Sequence, residues 1–242
     1  FCLIGKFLLL KIEMKKKHAD VLIIGAGAAG ATIAWGLSSS KLKIVCFEQG
    51  NFINSNIYSQ KNTEWEKLRR KKYNINPNIR KDKSDYPIND LNSPISIANF
   101  NGVGGSTILY SAHLPRFHPS DFKTKLLDNV GSNWPINYRD LEPYYNLNDK
   151  MMGIAGLSGD PAYPKIRGLL PPVKLEYSGN IIAKAFNELG WHWWPSYCGI
   201  ATKKVGSRII GSKSSVDTTY WPKAIANGVK LKINTRVIKI TI

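Results

Sequence analysis

The clearest hydrophobic pattern lies near the start of the chain. Asp20 to Ile24 read DVLII, a continuous apolar run typical of a parallel strand buried on both faces. The run ends in GAGAAG at residues 25–30, and the alanine-rich stretch ATIAWGLSSS that follows predicts a helix. A second apolar run, Lys43 to Phe47, ends in Glu48-Gln49-Gly50. Together these segments predict a complete β-α-β unit.

The rest of the chain predicts shorter elements separated by loops. Residues 51–98 are polar, rich in Asn and Lys, and predict a long excursion with one helix at 63–72. The later elements are predicted in this order: helices within 123–150, one of them starting near Asn137; a Gly- and Pro-rich loop at 151–175; helices at 180–189 and 214–227; and strands at 230–233 and 236–242.

Composition narrows the class of protein only a little. A hydrophobic fraction of 43% and a charged fraction of 21% are typical of a globular chain with a substantial core. The net charge of +17 could indicate nucleic acid or an anionic surface as a partner. Because the lysines are scattered and no aromatic-interleaved basic motif is present, a solvated basic surface is favoured and no nucleic-acid partner is expected. Attraction of an anionic substrate or cofactor is the alternative.

The cysteines and the first residues add two further expectations. Cys2, Cys46 and Cys198 lie far apart without metal-ligand spacing, so no disulfide framework or metal site is expected. Residues 1–17 are interpreted as an N-terminal extension in which Met14 is the natural start and the preceding residues are upstream read-through. A remnant of a membrane-targeting segment is the alternative. With no clear signal peptide or membrane span, a cytoplasmic location is expected.

The first glycine loop has the pattern of a dinucleotide-binding turn. Gly25 would permit the tight turn, Gly27 would let a pyrophosphate approach the backbone, and Gly30 would allow the helix to pack closely on the strand. The start of the helix offers N–H groups to phosphates. Glu48 lies 23 residues after Gly25, where a carboxylate can bind ribose hydroxyls and would repel a 2′-phosphate, so NADP is not expected. The motif itself does not separate FAD from NAD.

A second glycine-rich stretch, NGVGGST at residues 101–107, raises the question of what it is for. Gly102, Gly104 and Gly105 would allow a ligand to approach the backbone closely, and Ser106 and Thr107 carry hydroxyls. A flexible turn, a second phosphate cradle and the floor of an active site are all consistent with the residues alone.

Several segments, in order, resemble the glucose-methanol-choline (GMC) oxidoreductases, which are FAD-dependent. They are DVLIIGAGAAGATIAWGL, FEQG, NGVGGST, LPRFHPSDF, WPI…DLEPYY and SSVDTTYWPKAIANGVKLKINTRVIKI. The resemblance runs from about His18 to the end of the chain, and within the family it is closest to bacterial sugar and polyol dehydrogenases. Residues 195–213 depart from those relatives, which carry several cysteines where only Cys198 stands here.

The resemblance implies an α/β fold of the Rossmann-like FAD-binding type, a parallel sheet with helices, together with part of a second, substrate domain. Residues 18–242 would form the FAD-binding domain, with insertions at 51–98 and 140–212. The substrate and catalytic part would be absent, so the chain is expected to be truncated at its C-terminus. The residues that the resemblance and the glycine chemistry assign to FAD are Gly25, Ala26, Gly27, Ala28, Gly30, Glu48, Gln49, Gly102, Gly104, Gly105, Ser106, Thr107 and Val237.

Family members that attach FAD covalently do so through a His two places after the Ser-Thr pair. Leu109 stands at that place, so the resemblance implies non-covalent FAD. Covalent attachment through His113 would be a remote alternative. Arg116 and His118 are expected to be structural, Arg116 by pairing with a carboxylate and His118 by ordering the turn at Pro119.

The implied activity is that of an alcohol or sugar dehydrogenase or oxidase. A CH–OH group of an alcohol, sugar or polyol would lose a hydride to the flavin, and an acceptor protein or quinone could then take the electrons. The family's catalytic His and its His or Asn partner match no residue of this sequence, so no catalytic residue is assigned. Another dinucleotide-binding flavoprotein would need a redox cysteine pair or a second GxGxxG loop, and neither is present. A non-catalytic binding module is the remaining alternative.

Overall fold

The structure is a computed structural model that describes residues 18–54, 70, 72–83, 85, 88–206 and 208–241. Its elements, in chain order, are β1 (Val21–Ile24), α1 (Ala28–Leu37), β2 (Ile44–Phe47), α2 (Pro77–Arg80), α3 (Thr124–Asp128), α4 (Tyr138–Met152), α5 (Tyr177–Glu188), α6 (Tyr220–Ala226) and β3 (Lys230–Lys232), with short 3₁₀ helices at Gly105–Ile108 and Pro119–Lys123. The predicted extension at 1–17 lies outside these residues, as does the predicted helix at 63–72 apart from residues 70 and 72.

The three strands form one parallel sheet in the order β1-β2-β3. The predicted β-α-β unit is confirmed, because β1 and β2 pair in parallel with α1 between them in the chain. Helices α1 and α6 pack against each other, and Ala31 and Ala34 of α1 are fully buried. Small side chains on α1 allow this close helix packing, and the buried Trp221 of α6 fills the space beside them.

One expectation about β1 is wrong. Its apolar run is not buried on both faces, because Leu22 and Ile24 are 52% and 50% exposed while Ile23 is buried. Successive strand residues point to opposite faces of a sheet, and Ile23 belongs to the core that includes α1 and α6. The opposite face of β1, which carries Leu22 and Ile24, is about half exposed.

The later helices are close to their predicted positions. Helix α4 begins directly after Asn137, whose side chain accepts a hydrogen bond from the N–H of Arg139 at 2.9 Å while Asp140 accepts from the N–H of Asn137 at 2.8 Å. Helix α6 is shorter than the predicted 214–227. The hydroxyls of Thr218 and Thr219 both donate to the carbonyl of Ser215, and such local bonds compete with a regular helix.

The strand predicted at 230–233 is confirmed as β3, whereas the strand predicted at 236–242 is wrong. Asn234 adopts a left-handed backbone conformation with φ of 52°, which asparagine tolerates better than most residues. The chain therefore turns away from the sheet after β3, and residues 235–241 form no regular element.

Among the described residues, no helix has the length and apolar character needed to cross a bilayer.

Candidate functional site

A cleft of about 750 Å³ opens at the carboxyl ends of β1 and β2, which is where parallel sheets bind ligands. Three separate stretches of chain and one side of the sheet enclose it. It is lined by Ile24, Gly25, Gly27, Ala28, Phe47, Glu48, Gln49, Asn99, Phe100, Asn101, Gly105, Ser106, Thr107, Thr235, Arg236, Val237 and Ile238.

The first glycine loop has the geometry expected from its sequence. Gly25 has φ of +93°, which strongly favours glycine, and it makes the turn between β1 and α1. A Cβ at Gly30 would lie 2.0 Å from the carbonyl oxygen of Gly25, so the missing side chain permits close helix packing. At Gly27 the nearest atom to a Cβ would be 3.9 Å away, because this side of the loop faces the cleft.

The start of α1 is suited to an anion. Gly27 is the N-cap and provides no side-chain acceptor for the first N–H groups of the helix, and the first turn carries no acidic residue. Unpaired N–H groups and the helix dipole together give this end partial positive charge. Since Gly27 and Ala28 both line the cleft, these donors border the space in which a diphosphate would fit.

The second glycine loop forms another wall of the same cleft. The N–H of Gly104 donates to the carbonyl of Ala26 at 3.0 Å, which joins the two loops directly. A Cβ at Gly105 would lie 2.8 Å from the Cα of Gly27, so the two backbones approach with no side chain between them. The geometry therefore favours one shared site over an independent second phosphate cradle.

Glu48 links the sheet to the first loop. Its carboxylate accepts hydrogen bonds from the N–H of Ala26 and the N–H of Gly50, both at 2.8 Å, and the residue is only 6% exposed. Both oxygens therefore already have a protein donor, although each retains a further lone pair. The sequence predicted that this carboxylate binds ribose hydroxyls. In the structure it also holds the backbone of the first glycine loop to the end of β2.

The third wall comes from the segment after β3. The N–H of Thr235 donates to the carbonyl of Glu48 at 2.9 Å, and the N–H of Asn234 donates to the carbonyl of Gly50 at 3.0 Å. These bonds hold Thr235 to Ile238 along the cleft, and Val237, which the resemblance assigns to the cofactor, is one of its lining residues.

The residues expected at a cofactor lie at different depths around this cleft. Gly25, Gly27, Ala28, Glu48, Gln49, Gly105, Ser106, Thr107 and Val237 line it, whereas Ala26, Gly30, Gly102 and Gly104 lie behind its surface. Ala26 is fully buried, and its carbonyl accepts both the Gly104 N–H and the indole N–H of Trp221. These four residues therefore shape the loops that form the walls.

Ser106 and Thr107 differ in what their hydroxyls can offer. Ser106 is exposed at the cleft. The Thr107 hydroxyl donates to the Gly104 carbonyl at 2.6 Å and accepts from the N–H of Val216 at 3.2 Å. Its single proton is therefore already used within the protein.

The four histidines lie away from the lining of the cleft. His18 contacts Asp20, the ring of His113 bonds to the hydroxyl of Ser196 at 2.9 Å, and the ring of His192 bonds to Asp160 at 3.0 Å. Leu109 is buried in a small cluster with Phe100 and other apolar residues.

The structural interpretation of Arg116 and His118 is confirmed. Arg116 is buried, and its Nη2 lies 2.5 Å from a carboxylate oxygen of Asp149. The ring of His118 accepts a hydrogen bond from the N–H of Ser120, and so orders the turn that begins at Pro119. The contact between Arg116 and Asp149 anchors the stretch after the second glycine loop to α4.

Sequence reasoning missed part of the cleft. Asn99 and Phe100 precede the second glycine loop, Asn101 is its first residue, and Thr235, Arg236 and Ile238 flank Val237. The signal that could have identified these residues is their proximity in sequence to positions already assigned. Below the cleft, burial and the nearby Glu48 raise the pKa of the Cys46 thiol to about 12, so this side chain is a neutral core residue.

Comparison with known proteins supports a Rossmann-like domain in this chain. A family model described as an NAD(P)-binding Rossmann-like domain matches residues 23–82. A 2-methyl-1,2-propanediol dehydrogenase of Mycolicibacterium austroafricanum is 37% identical over 240 residues, covering 92% of this chain and 43% of that protein. A GMC-type oxidoreductase of Sinorhizobium fredii is 26% identical over 233 residues, covering 93% of this chain and 40% of that protein.

Among solved structures, pyridoxine 4-oxidase from Mesorbium loti matches with a TM-score of 0.60 and 18% identity, covering 91% of this chain and 43% of that one. This likeness supports the fold. The chain spans less than half the length of these relatives.

Proposed function

We propose that this chain, which over most of its length is similar in sequence to a 2-methyl-1,2-propanediol dehydrogenase and to a GMC-type oxidoreductase, forms the FAD-binding part of an enzyme that oxidises a CH–OH group of an alcohol, sugar or polyol. The observation that carries the proposal is the meeting of two glycine loops in one cleft at the carboxyl end of the parallel sheet. The corresponding domain division assigns residues 18–242 to this part, with insertions at 51–98 and 140–212.

The residues of the cleft fit a dinucleotide bound without a covalent link. The N–H groups at the start of α1 and the backbone of Gly105 and Ser106 would hold the pyrophosphate, and Glu48, Gln49 and Val237 would hold the adenosine. Leu109 offers no atom that could form a covalent bond to a flavin, which supports dissociable FAD.

When bound, the flavin supplies the acceptor for the hydride that leaves the alcohol carbon. The hydroxyl proton must pass to a base, and no described residue is assigned that role, since none of the four histidines lines the cleft. The proposed task of this chain's residues is to bind and orient the cofactor. The proposal also includes a protein or a quinone that accepts the electrons from the flavin.

The test is a titration of the purified 242-residue chain with FAD, followed by flavin fluorescence, with FMN and NAD as comparison ligands. We expect FAD to bind and Gly27→Ala to weaken its binding by about tenfold or more, because the added Cβ occupies space that a diphosphate needs. Gly27→Ala should leave the unfolding free energy nearly unchanged, since its Cβ meets nothing closer than 3.9 Å. Gly36→Ala, whose Cβ would meet nothing within 4 Å, is the control.

A chain that binds no FAD would overturn the proposal, and preferential binding of NAD would replace FAD by a nicotinamide cofactor. The oxidation of an alcohol is tested separately, by reduction of a dye in the presence of FAD and a panel of alcohols, sugars and polyols. Dye reduction that depends on both FAD and one class of alcohol is the expected result.

A further inference from the structure

Gln49 and Arg236 meet across the cleft although they lie 187 positions apart. The Nε of Arg236 donates to the Oε1 of Gln49 at 3.0 Å, and both residues line the cleft. A guanidinium carries only donors, so its partner must be the amide oxygen of Gln49. The amide Nε2 of Gln49, with its two N–H donors, is therefore directed away from the guanidinium Nε.

The backbone on both sides keeps this pair in place. Gln49 lies between Glu48 and Gly50, and the carbonyls of these two neighbours accept hydrogen bonds from Thr235 and Asn234. The segment that carries Arg236 is thus bonded to the end of β2 on either side of Gln49. The orientation of the Gln49 amide is consequently set by Arg236 on a fixed support.

The surroundings of Gln49 leave its donors for a ligand. Glu48 directs its carboxylate to the two backbone N–H groups of Ala26 and Gly50. Over the part of the chain that the structure describes, the Gln49 side chain makes its hydrogen bond with Arg236 and no protein acceptor bonds to its Nε2. An amide with two N–H groups beside a cleft is suited to oxygen or nitrogen acceptors, such as ribose hydroxyls and adenine ring nitrogens.

We propose that Gln49 is a specificity-determining residue for the adenosine half of the dinucleotide, and that Arg236 is its positioning residue. Gln49 donates from Nε2 to an acceptor of the adenosine, and Arg236 fixes the amide in the donating orientation. This inference rests on the proposed function, since it concerns the same cleft and the same ligand.

A double-variant experiment on the 242-residue chain separates this role from a purely structural one. FAD affinity is measured by flavin fluorescence for the wild type, Gln49→Met, Arg236→Leu and the combined variant. Gln49→Met keeps a side chain of similar length but removes the amide, and we expect FAD to bind about three- to tenfold more weakly. Arg236→Leu should weaken binding by less than Gln49→Met, because the amide is still present but is no longer oriented.

The combined variant should bind FAD no more weakly than Gln49→Met alone, because Arg236 acts through Gln49. A further variant, Gln49→Glu, preserves an acceptor for Arg236 but removes the donors. It should retain the wild-type melting temperature and still bind FAD more weakly. If the pair only joined two stretches of chain, FAD affinity would fall only in variants whose melting temperature also falls, and Gln49→Glu would keep its FAD affinity.

Adenosine diphosphate, tested by displacement of FAD, should lose affinity in Gln49→Met by a similar factor, whereas a contact to the flavin half would leave its affinity unchanged. Unchanged FAD affinity in Gln49→Met, or additive losses in the combined variant, would overturn this inference alone. A wild-type chain that binds no FAD would overturn the proposed function and the inference with it.

Discussion

The contact between Gly30 and the turn before it makes a quantitative prediction about stability. A Cβ at residue 30 would lie 2.0 Å from the carbonyl oxygen of Gly25 and 3.2 Å from a methyl carbon of Ile23. Nonbonded heavy atoms prefer separations near 3.5 Å, so the first contact is too short by more than an ångström. Because the obstructing atom belongs to the backbone, α1 must shift relative to β1 to relieve it.

The cost of Gly30→Ala follows from this overlap. Overpacked side chains typically destabilise a fold by about 1–3 kcal/mol, and a rigid backbone obstacle favours the upper end of that range. Alanine is a better helix former than glycine by about 0.5–1 kcal/mol, which offsets part of the cost. We therefore expect a net loss of about 2 kcal/mol in the free energy of unfolding.

Gly36 offers a matched control in the same helix. A Cβ there meets nothing within 4 Å, and the residue is exposed. Gly36→Ala should therefore stabilise the fold by up to about 1 kcal/mol through helix propensity alone. The same chemical change in one helix should thus have opposite signs at the two positions.

Urea unfolding without nucleotide, followed by circular dichroism, measures both variants. The midpoint should fall for Gly30→Ala and rise slightly for Gly36→Ala, with the dependence on urea unchanged. If the two variants unfolded within about 0.5 kcal/mol of each other, the packing argument for Gly30 would be refuted.

Four further predictions concern three buried groups, Glu48, Cys46 and Arg116. Glu48→Ala leaves two backbone N–H groups without their acceptor and should cost about 2–4 kcal/mol in urea unfolding without nucleotide; an unchanged midpoint would contradict the structural task of this carboxylate. Cys46 should resist iodoacetamide at pH 8 in the native chain, because burial raises its pKa to about 12; reaction at the rate of the unfolded chain would contradict this. Since the folded chain holds this proton more tightly than the unfolded chain, stability should fall as pH rises from about 9 towards 12, and Cys46→Ala should lose that part of the fall. Arg116→Leu should cost about 3–5 kcal/mol because it leaves the Asp149 carboxylate buried without its cation, and the paired change to two leucines should recover much of the loss in the same assay.

The parts of the fold that could be predicted depend on neighbouring residues. The turn at Gly25, the packing at Gly30 and the start of α4 after Asn137 each follow from a few consecutive positions. Glycine tolerates a positive φ and asparagine accepts a hydrogen bond from a helix N–H wherever they occur. These three features could therefore be predicted from the sequence alone.

The parts that could not be predicted depend on contacts between distant segments. The stretch RVIKITI alternates as a strand does, yet after the left-handed turn at Asn234 its first three residues, 236–238, line the cleft instead. Burial of β1 on both faces depends on what covers Leu22 and Ile24, and the apolar run alone does not decide that. The meeting of Gln49 with Arg236 leaves no trace in either local pattern.

The contacts between the two glycine loops also bear on how the cleft binds a ligand. A Cβ at Gly105 would lie 2.8 Å from the Cα of Gly27, and a Cβ at Gly50 would lie 2.5 Å from the carbonyl oxygen of Asn101. The walls therefore meet backbone against backbone, where no side chain can rearrange, and the N–H of Gly104 bonds across the same contact. A cleft built in this way exists before the ligand arrives, so binding requires little ordering of the protein and more of the contact energy appears as affinity. Glycine is therefore needed here for the assembly of the walls, in addition to its proposed role in the approach of a nucleotide.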